Sequence, residues 1–126
     1  MDDGGLAICK EVASFHKNIL GTGIIKNGEL TASYVKQNVP FPNEIKLKKI
    51  LLQSHFITAL AKSNEDYFGK LDYVMIRWQN SDIFLFALDH SVPELFAFRI
   101  VAPYNHERLI RKVSDYFNKA NHRDDS

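Results

Sequence analysis

Apolar residues recur at helical spacing near the start of the chain. Four of them follow one another at steps of four, three and four residues: Ile8, Val12, Phe15 and Ile19. This spacing is typical of one face of an α-helix. It predicts a helix over residues 6–20, with Asp3 as a candidate N-cap and Gly21 as its C-terminal cap.

A β-hairpin is predicted next, around the dipeptide Asn27-Gly28. Asn-Gly tolerates the positive φ angles that a type I′ turn requires at both central positions, and this turn matches the twist of paired strands. Strands are therefore expected over residues 23–26 and 29–35. Residues 37–42 contain two prolines and are predicted to form a loop, because proline lacks an N–H donor and disfavours helix before it.

A long second helix is predicted to begin near Asn43, a candidate N-cap, and to fray near residue 63. One of its faces is apolar and carries Leu47, Ile50, Leu51, Ile57 and Ala61. Further apolar residues lie off that face, at Ile45, Leu52, Phe56 and Leu60. A narrower polar face carries Lys46, Lys48, Lys49 and Gln53. A helix with so wide an apolar arc either covers a sheet broadly or also contacts a partner.

Three more strands are predicted over residues 71–79, 83–88 and 95–101. The first alternates, with Val74, Ile76 and Trp78 on one face and Tyr73, Met75 and Arg77 on the other. The other two are apolar almost throughout, which is typical of strands covered on both faces. The connections between the three are too short for crossovers, so they are expected to form an antiparallel meander.

A last helix is predicted from Asn105, followed by a polar tail at residues 121–126. Its buried face carries Leu109, Ile110, Val113, Tyr116, Phe117 and Ala120. The element order is α-β-β-α-β-β-β-α. This order predicts an α/β (α+β) three-layer sandwich around a five-stranded, mainly antiparallel sheet. We expect a single domain over residues 1–126, with an ordered core at about residues 6–119.

Composition narrows the class of protein. Of the 126 residues, 45% are apolar and 12% aromatic, which is enough to build a core and excludes intrinsic disorder. The net charge of +1 argues against a strongly basic nucleic-acid binder. A single cysteine excludes an intrachain disulfide and fits a reducing, cytoplasmic setting. No long apolar run or signal peptide occurs, so we expect no insertion into a membrane.

Residue types used in catalysis and metal binding occur at unsuitable spacings. Cys9 and His16 share the first predicted helix, but their Cα atoms would lie about 10 Å apart, too far for one zinc ion. Adjacent helical residues such as Ser54 and His55 point about 100° apart, so they form no nucleophile–base pair. Residues 89–91, Asp-His-Ser, fall in a tight loop, where such residues serve turn hydrogen bonds. We predict no catalytic residue, cofactor or metal site, and hence no enzyme.

Nucleotide-binding motifs are incomplete or absent. Residues 21–23, Gly-Thr-Gly, match half of a dinucleotide fingerprint, but here a helix precedes them and a strand follows, the reverse of what that fingerprint needs. No P-loop motif occurs, so the chain is not itself a P-loop GTPase. The basic residues of the last helix are offset by acidic ones, which favours a solvated face over a phosphate-binding stripe.

The order of elements, with the Asn-Gly hairpin after a first helix, resembles the Roadblock/LC7 family of the profilin-like class. Residues 23–30 look like that family's strand–turn–strand opening, and residues 95–101 like its closing strand before an amphipathic helix. The family's small residues after the hairpin are present as Ala32 and Ser33. The resemblance covers about residues 6–119, and short archaeal proteins are similar in layout. The two prolines before the second helix depart from the family's pattern.

The resemblance implies a fold, an assembly and a role. The sheet order would be 2-1-5-4-3, with the first and last helices on one face and the second helix on the other. Members form homodimers or heterodimers by pairing the third strand with its copy and packing the second helix against its mate. Their role is non-enzymatic and consists of scaffolding, or of regulating small Ras-like GTPases or motor complexes.

Apart from the family resemblance, the residues themselves suggest that 71–79 form an exposed sheet edge able to pair. Charges and prolines normally block such pairing, and here only Asp72 and Arg77 are charged and no proline occurs. Two interpretations stay open: one face packs on the core, or the edge pairs with a second copy of the chain. For the second interpretation the residues predicted at or beside the dimer interface are Val74, Met75, Ile76, Trp78, Ile50 and Ile57.

A small-ligand sensor of the PAS or longin-like kind is the alternative function. Its ligand would occupy a pocket between the sheet and the second helix, and the nine phenylalanines are residues of a kind that lines such pockets. An apolar cavity of several hundred Å³ with convergent polar groups would favour this alternative, whereas a solid core would remove it.

Overall fold

The computed structural model describes residues 3–89 and 93–124. Within them the elements are α1 (Asp3–Ala13), β1 (Ile19–Lys26), β2 (Glu29–Val35), α2 (Glu44–Lys62), α3 (Glu65–Phe68), β3 (Tyr73–Arg77), β4 (Asp82–Asp89), β5 (Glu94–Ile100) and α4 (His106–Asp124). The predicted order is confirmed, with one addition. The single-turn helix α3 was missed because four residues are too few to show a periodicity.

The five strands form one antiparallel sheet in the order β2-β1-β5-β4-β3. This is the order that the resemblance implied. The β1–β2 turn has positive φ at Asn27 (53°) and at Gly28 (79°), as a type I′ turn requires. The two strands predicted to be covered on both faces, β4 and β5, lie inside the sheet, and β3 lies at its edge.

Helices cover both faces of the sheet, which confirms the three-layer sandwich. The main core lies on the side of α1 and α4, and its buried members include Cys9, Val12, Ile19, Phe84, Phe86, Phe96, Phe98, Leu109 and Val113. On the other side, α2 contributes Leu51 to a smaller cluster with Ile25 and Leu95. The thick core therefore holds α1 and α4, and α2 covers the sheet with far fewer buried side chains.

The first helix is shorter than the sequence predicted. It ends at Ala13, and Ile19 is a fully buried residue of β1 that lies opposite Ile100. The error arose because Ile19 enters the same core from a strand, at a spacing that continues the helical pattern. Gly21 is likewise not a helix cap. It lies within β1, where a Cβ atom would come 3.2 Å from the carbonyl oxygen of Tyr34.

Other boundaries differ by a few residues. β3 covers residues 73–77 rather than 71–79, and α4 continues to Asp124, so residues 121–124 are helical rather than a tail. The predicted N-cap Asn43 is confirmed, because its side-chain oxygen accepts a hydrogen bond from the Lys46 N–H at 2.9 Å. Across residues 3–89 and 93–124, no helix combines the length and apolar character needed to span a membrane.

Candidate protein interface

The free side of β3 offers a row of backbone groups for pairing. At the two ends of the strand, the Ala87 N–H donates to the Asp72 carbonyl at 3.0 Å and the Trp78 N–H donates to the Ser81 carbonyl at 2.9 Å. Hydrogen-bonding sides alternate along an antiparallel strand, so the even-numbered residues 72–78 bond towards β4. The residues whose N–H and C=O groups point away from the sheet are Tyr73, Met75 and Arg77.

The side chains of β3 divide between the two faces of the sheet, as the alternation predicted. Tyr73 and Met75 pack against the main core, and the Tyr73 ring stacks on Phe86 with centroids 5.2 Å apart. Val74 and Ile76 are half-buried on the face that α2 covers. Met75, predicted at the interface, therefore offers its backbone outward while its side chain belongs to the core.

Helix α2 approaches the sheet through small residues. Ser54 and Thr58 are buried, and each hydroxyl donates to a carbonyl one turn earlier in the helix, of Ile50 and of Ser54, at 2.9 Å. Leu51 packs beside them on the smaller cluster. The Ser54 hydroxyl is thus bonded within the helix. Most of the large apolar side chains of α2 do not pack on the sheet and are exposed.

One row of large apolar side chains on α2 points away from the sheet. At about 100° per residue, Ile45, Leu52 and Phe56 lie within about 20° of the direction opposite Ser54. We call these three residues the outer stripe. Their exposed fractions are 84%, 53% and 57%. Contiguous exposed apolar residues of this kind mark interaction sites in soluble proteins.

A second exposed side of α2 is apolar and lies opposite His55. His55 lies beside the β1–β2 turn, since a Cβ atom on Gly28 would come 3.9 Å from the Cβ of His55. On the side of α2 away from His55, Ile50, Ile57 and Leu60 lie about 40° to 120° from the sheet-facing direction. Because α2 contacts β4 as well as β2, we infer that this side is directed towards β4 and the edge strand β3. We call these three residues the β3 side of α2. Leu60 is 70% exposed, and sequence reasoning had not assigned it to the interface.

The short helix α3 carries two exposed aromatic residues. Tyr67 is 82% and Phe68 is 80% exposed, and their rings meet edge to face at 4.8 Å. Gly69 follows with φ of 93°, and the Leu71 N–H donates to the Glu65 side chain at 2.8 Å. This pair lies just before β3. Sequence reasoning missed it because the only signal was a Tyr-Phe dipeptide between Asn64 and Gly69.

A buried carboxylate holds the other end of β3. Asp82 is 4% exposed and accepts hydrogen bonds from Nε and Nη2 of Arg77 and from the Tyr104 hydroxyl. The Arg77 guanidinium keeps the pKa of Asp82 below its usual range, despite burial. Burial, then the bond to Asp82, raises the pKa of Tyr104. This network, which the sequence did not reveal, joins the edge strand to β4 and to the loop before α4.

The groups weighed for catalysis or metal binding are not brought together. Cys9 is buried in the core, while His16 lies beyond the end of α1, so the two do not share a helix face as expected. Asp89 ends β4, and the other two residues of the Asp-His-Ser segment lie outside the described residues. Within residues 3–89 and 93–124, no three His, Cys, Asp or Glu side chains are grouped suitably for a metal ion.

A cavity of about 170 Å³ lies on the α4 face of the sheet. It is lined by Asp72, Phe86, Ala87, Leu88, Ser114, Phe117 and Asn118. The alternative of a small-ligand sensor placed its pocket between the sheet and α2, on the opposite face. Pockets for small molecules usually measure about 300 to 1,000 Å³, so this cavity is also small for that purpose.

Comparison with known proteins identifies the fold. No family model and no curated protein sequence matches the chain. Among solved structures, a Roadblock/LC7 domain from Streptomyces avermitilis has a TM-score of 0.72 at 7% identity, covering 96% of this chain and 98% of that one. The gliding protein MglB of Thermus thermophilus gives 0.69 at 11% (90% and 84% covered) and Myxococcus xanthus MglB gives 0.67 at 12% (95% and 96%). The chain therefore has the Roadblock/LC7-like fold, as its order of elements indicated.

Proposed function

We propose that this chain is a non-enzymatic scaffold or regulatory protein that forms a homodimer and docks a protein partner, such as a small Ras-like GTPase. The proposal rests on the edge position of β3 in the sheet and on the apolar, exposed side of α2 that we infer to lie towards that edge. Pairing with a second copy of the chain would cover both the unpaired edge of β3 and the apolar side of α2.

The dimer would continue the sheet from β3 of one protomer to β3 of the other. A two-fold axis normal to the sheet keeps both α2 helices on one face, so that the β3 sides of the two helices meet. Ile57 and Leu60 would then lose their exposure together with Val74 and Ile76, which lie on the same face of the sheet as α2. Because the same patch serves both protomers, one surface on the chain accounts for the whole interface.

Charges along α2 also suit this arrangement. Its N-terminal half is net basic, since Lys46 and Lys49 accompany a Lys48 that lies 3.7 Å from Glu44. Its C-terminal end is net acidic, since Glu65 and Asp66 follow Lys62. Two helices related by such an axis run antiparallel, so the basic half of each would approach the acidic end of the other. Opposite charges at the border of an interface favour the correct orientation and speed association.

The partner would dock on the outer stripe. Ile45, Leu52 and Phe56 point away from the sheet and lie outside the β3 side of α2, so they would stay exposed in the dimer. Two stripes side by side would form one apolar surface with lysines around it. The resemblance to Roadblock/LC7 proteins is the reason to expect a small Ras-like GTPase there, and aromatic side chains such as Phe56 often carry the binding energy of such surfaces.

Two matched variants of α2 test the proposal. Leu60→Asp should weaken the dimer in sedimentation equilibrium, since it places a carboxylate between the helices. Phe56→Asp, one turn away, should leave the dimer intact and abolish capture of small GTPases from a lysate of the source cells, identified by mass spectrometry. A wild-type chain that stays monomeric at high concentration contradicts the dimer. GTPase capture that Phe56→Asp does not change contradicts the docking surface.

A further inference from the structure

The outward groups of β3 determine how two copies can pair. In an antiparallel pair, directly opposed residues point to the same face of the sheet. A two-fold axis normal to the sheet places α2 of both copies on the same face of the continuous sheet. Even-numbered side chains of β3 point to that face in each copy, so an even-numbered residue must lie opposite an even-numbered residue of the partner. The axis then passes through a residue position. An axis at Met75 opposes all of Tyr73–Arg77, whereas one at Val74 or Ile76 opposes only three residues of each strand.

The axis at Met75 also uses every outward backbone group of the strand. The Met75 N–H donates to the carbonyl of the partner's Met75, and the Met75 carbonyl accepts from the N–H of the partner's Met75. Tyr73 exchanges the same pair of hydrogen bonds with the partner's Arg77. On the α2 face, Val74 lies opposite the partner's Ile76. This register gives the longest ladder that β3 can form, and it leaves none of its three outward residues unpaired.

The same register decides what lies beyond the ends of the strand. Trp78 follows Arg77 and falls opposite residue 72 of the other chain, which is four residues after Phe68. Four residues span at most about 14 Å, so Phe68 of one protomer lies within about 14 Å of the residue that opposes Trp78 of the other. A Cβ atom built at Gly69 meets no described atom within 4 Å, so there is open space beside α3.

We propose that Trp78 of each protomer packs against Tyr67 and Phe68 of the partner subunit, forming an aromatic cluster at each end of the paired strands. This inference rests on the proposed homodimer and extends it. Trp78 is 53% exposed in the single chain, and Tyr67 and Phe68 are more exposed still. Large aromatic side chains are the usual anchors of protein interfaces, and packed rings gain beyond their buried area.

The cluster selects the partner as well as binding it. Each cluster takes its indole from one chain and its α3 pair from the other, and a second copy of this chain supplies both. A related chain without the tryptophan or without the α3 pair would leave exposed rings uncovered on one or both sides. Specificity of this kind comes from the difference between the two pairings, and here it favours the homodimer.

Fluorescence tests the contact directly, because Trp78 is the only tryptophan of the chain. As concentration rises, its emission should shift to shorter wavelength in step with dimer formation measured by sedimentation. Phe68→Ala should reduce this shift at concentrations where the dimer persists. Phe41→Ala is the control, since Phe41 is 51% exposed but lies in the loop before α2, and its variant should change neither the shift nor the dimer constant.

A double-mutant cycle provides the second measurement. Trp78→Ala should weaken the dimer roughly thirtyfold and Phe68→Ala roughly tenfold. The double variant should be weaker by clearly less than the product, because both changes remove one contact. Trp78→Phe should restore part of the affinity, and unchanged thermal unfolding of the dilute monomers shows that the fold is intact. Multiplicative effects, or a dimer whose tryptophan emission does not shift, overturn the cluster and leave the dimer standing. A chain that never dimerises overturns both.

Discussion

The guanidinium of Arg77 makes two hydrogen bonds of 2.8 Å with the carboxylate of Asp82 across the β3–β4 turn. Asp82 is buried, whereas 63% of the Arg77 side chain is exposed. The Tyr104 hydroxyl donates a third hydrogen bond to the same carboxylate. The sheet edge that we propose for pairing is thereby fixed to β4 and to the segment before α4, so it is presented as an ordered strand.

Replacing Asp82 should destabilise the monomer. Asp82→Ala removes three hydrogen bonds and leaves the Tyr104 hydroxyl without its acceptor in a half-buried site, so we expect the free energy of unfolding to fall by about 2 to 3 kcal/mol. Tyr104→Phe removes one of the three bonds and should cost about 1 kcal/mol. Denaturant titration of dilute protein measures both, and equal losses for the two variants would contradict the central place of the carboxylate.

The same carboxylate should make stability depend on acid. Arg77 holds the pKa of Asp82 below its usual range in the folded chain, whereas an unfolded aspartate titrates near pH 4. The contribution of Asp82 is therefore fully present above about pH 4 and is lost as pH falls towards the lower, folded pKa. The difference in free energy of unfolding between wild type and Asp82→Asn should shrink below about pH 4. A difference that stays constant down to acid denaturation would contradict this.

Tyr116 should make the stability of the fold depend on pH in the alkaline range. Burial, then a 3.0 Å hydrogen bond that its hydroxyl donates to Glu11, raises the pKa of Tyr116 to about 12. An unfolded tyrosine titrates near pH 10, so its contribution is present below about pH 10 and is lost as pH rises towards about 12.

Thermal unfolding of wild type and Tyr116→Phe should therefore converge between about pH 10 and about pH 12. The phenylalanine keeps the edge-to-face contact with Phe15, whose ring centroid lies 5.6 Å away, so the comparison isolates the hydroxyl. Tyr104 titrates in both proteins and cancels from the difference. Parallel curves throughout this range would show that the hydroxyl titrates as in the unfolded chain.

Features of the fold set by local chemistry were predictable from the sequence. The amide side chain of Asn43 caps α2 from three residues away, and Asn27-Gly28 adopts its turn because both residues tolerate positive φ. Near-continuous apolar runs identified β4 and β5 as strands covered on both faces. In each case the residues that determine the structure are neighbours in the chain, so a short window contains the whole signal.

Features that depend on distant residues were not predictable in the same way. The predicted strands over residues 71–79 and 83–88 leave Asp82 outside both, and its partner Tyr104 lies 22 residues later, beyond any local pattern. Ile19 extended the helical pattern of α1 although it reaches the core from a strand paired with Ile100. The exposed rings of α3 obey no periodicity within the chain, since no core of this chain buries them. Of the proposed interface, the sequence pattern indicated β3 and α2 but not Leu60 or α3.

The register at Met75 makes a last prediction, through the opposition of residues 74 and 76. Val74→Lys and Ile76→Glu should each weaken the dimer at least about tenfold, because each places a charge against an apolar neighbour across the interface. The variant that carries both changes places Lys at 74 opposite Glu at 76 of the partner subunit, twice over. Opposite-charge pairs across strands contribute about 0.2 to 1 kcal/mol each, so the double variant should dimerise more tightly than the product of the single effects allows.

Two further comparisons tie this prediction to the register with its axis at Met75: the effect of salt, and the outcome expected for an axis at residue 74 or 76. Raising ionic strength should reduce the rescue, since it arises from charge pairs that are partly solvated. With an axis at residue 74 or 76, the double variant would oppose Lys to Lys or Glu to Glu. That like-charge repulsion is already present in one of the single variants, so the double variant would then be about as weak as the product of the single effects, with no rescue. Sedimentation equilibrium of the four proteins therefore distinguishes the axis at Met75 from its two neighbours, because only the axis at Met75 makes the double variant dimerise more tightly than the product of the single effects.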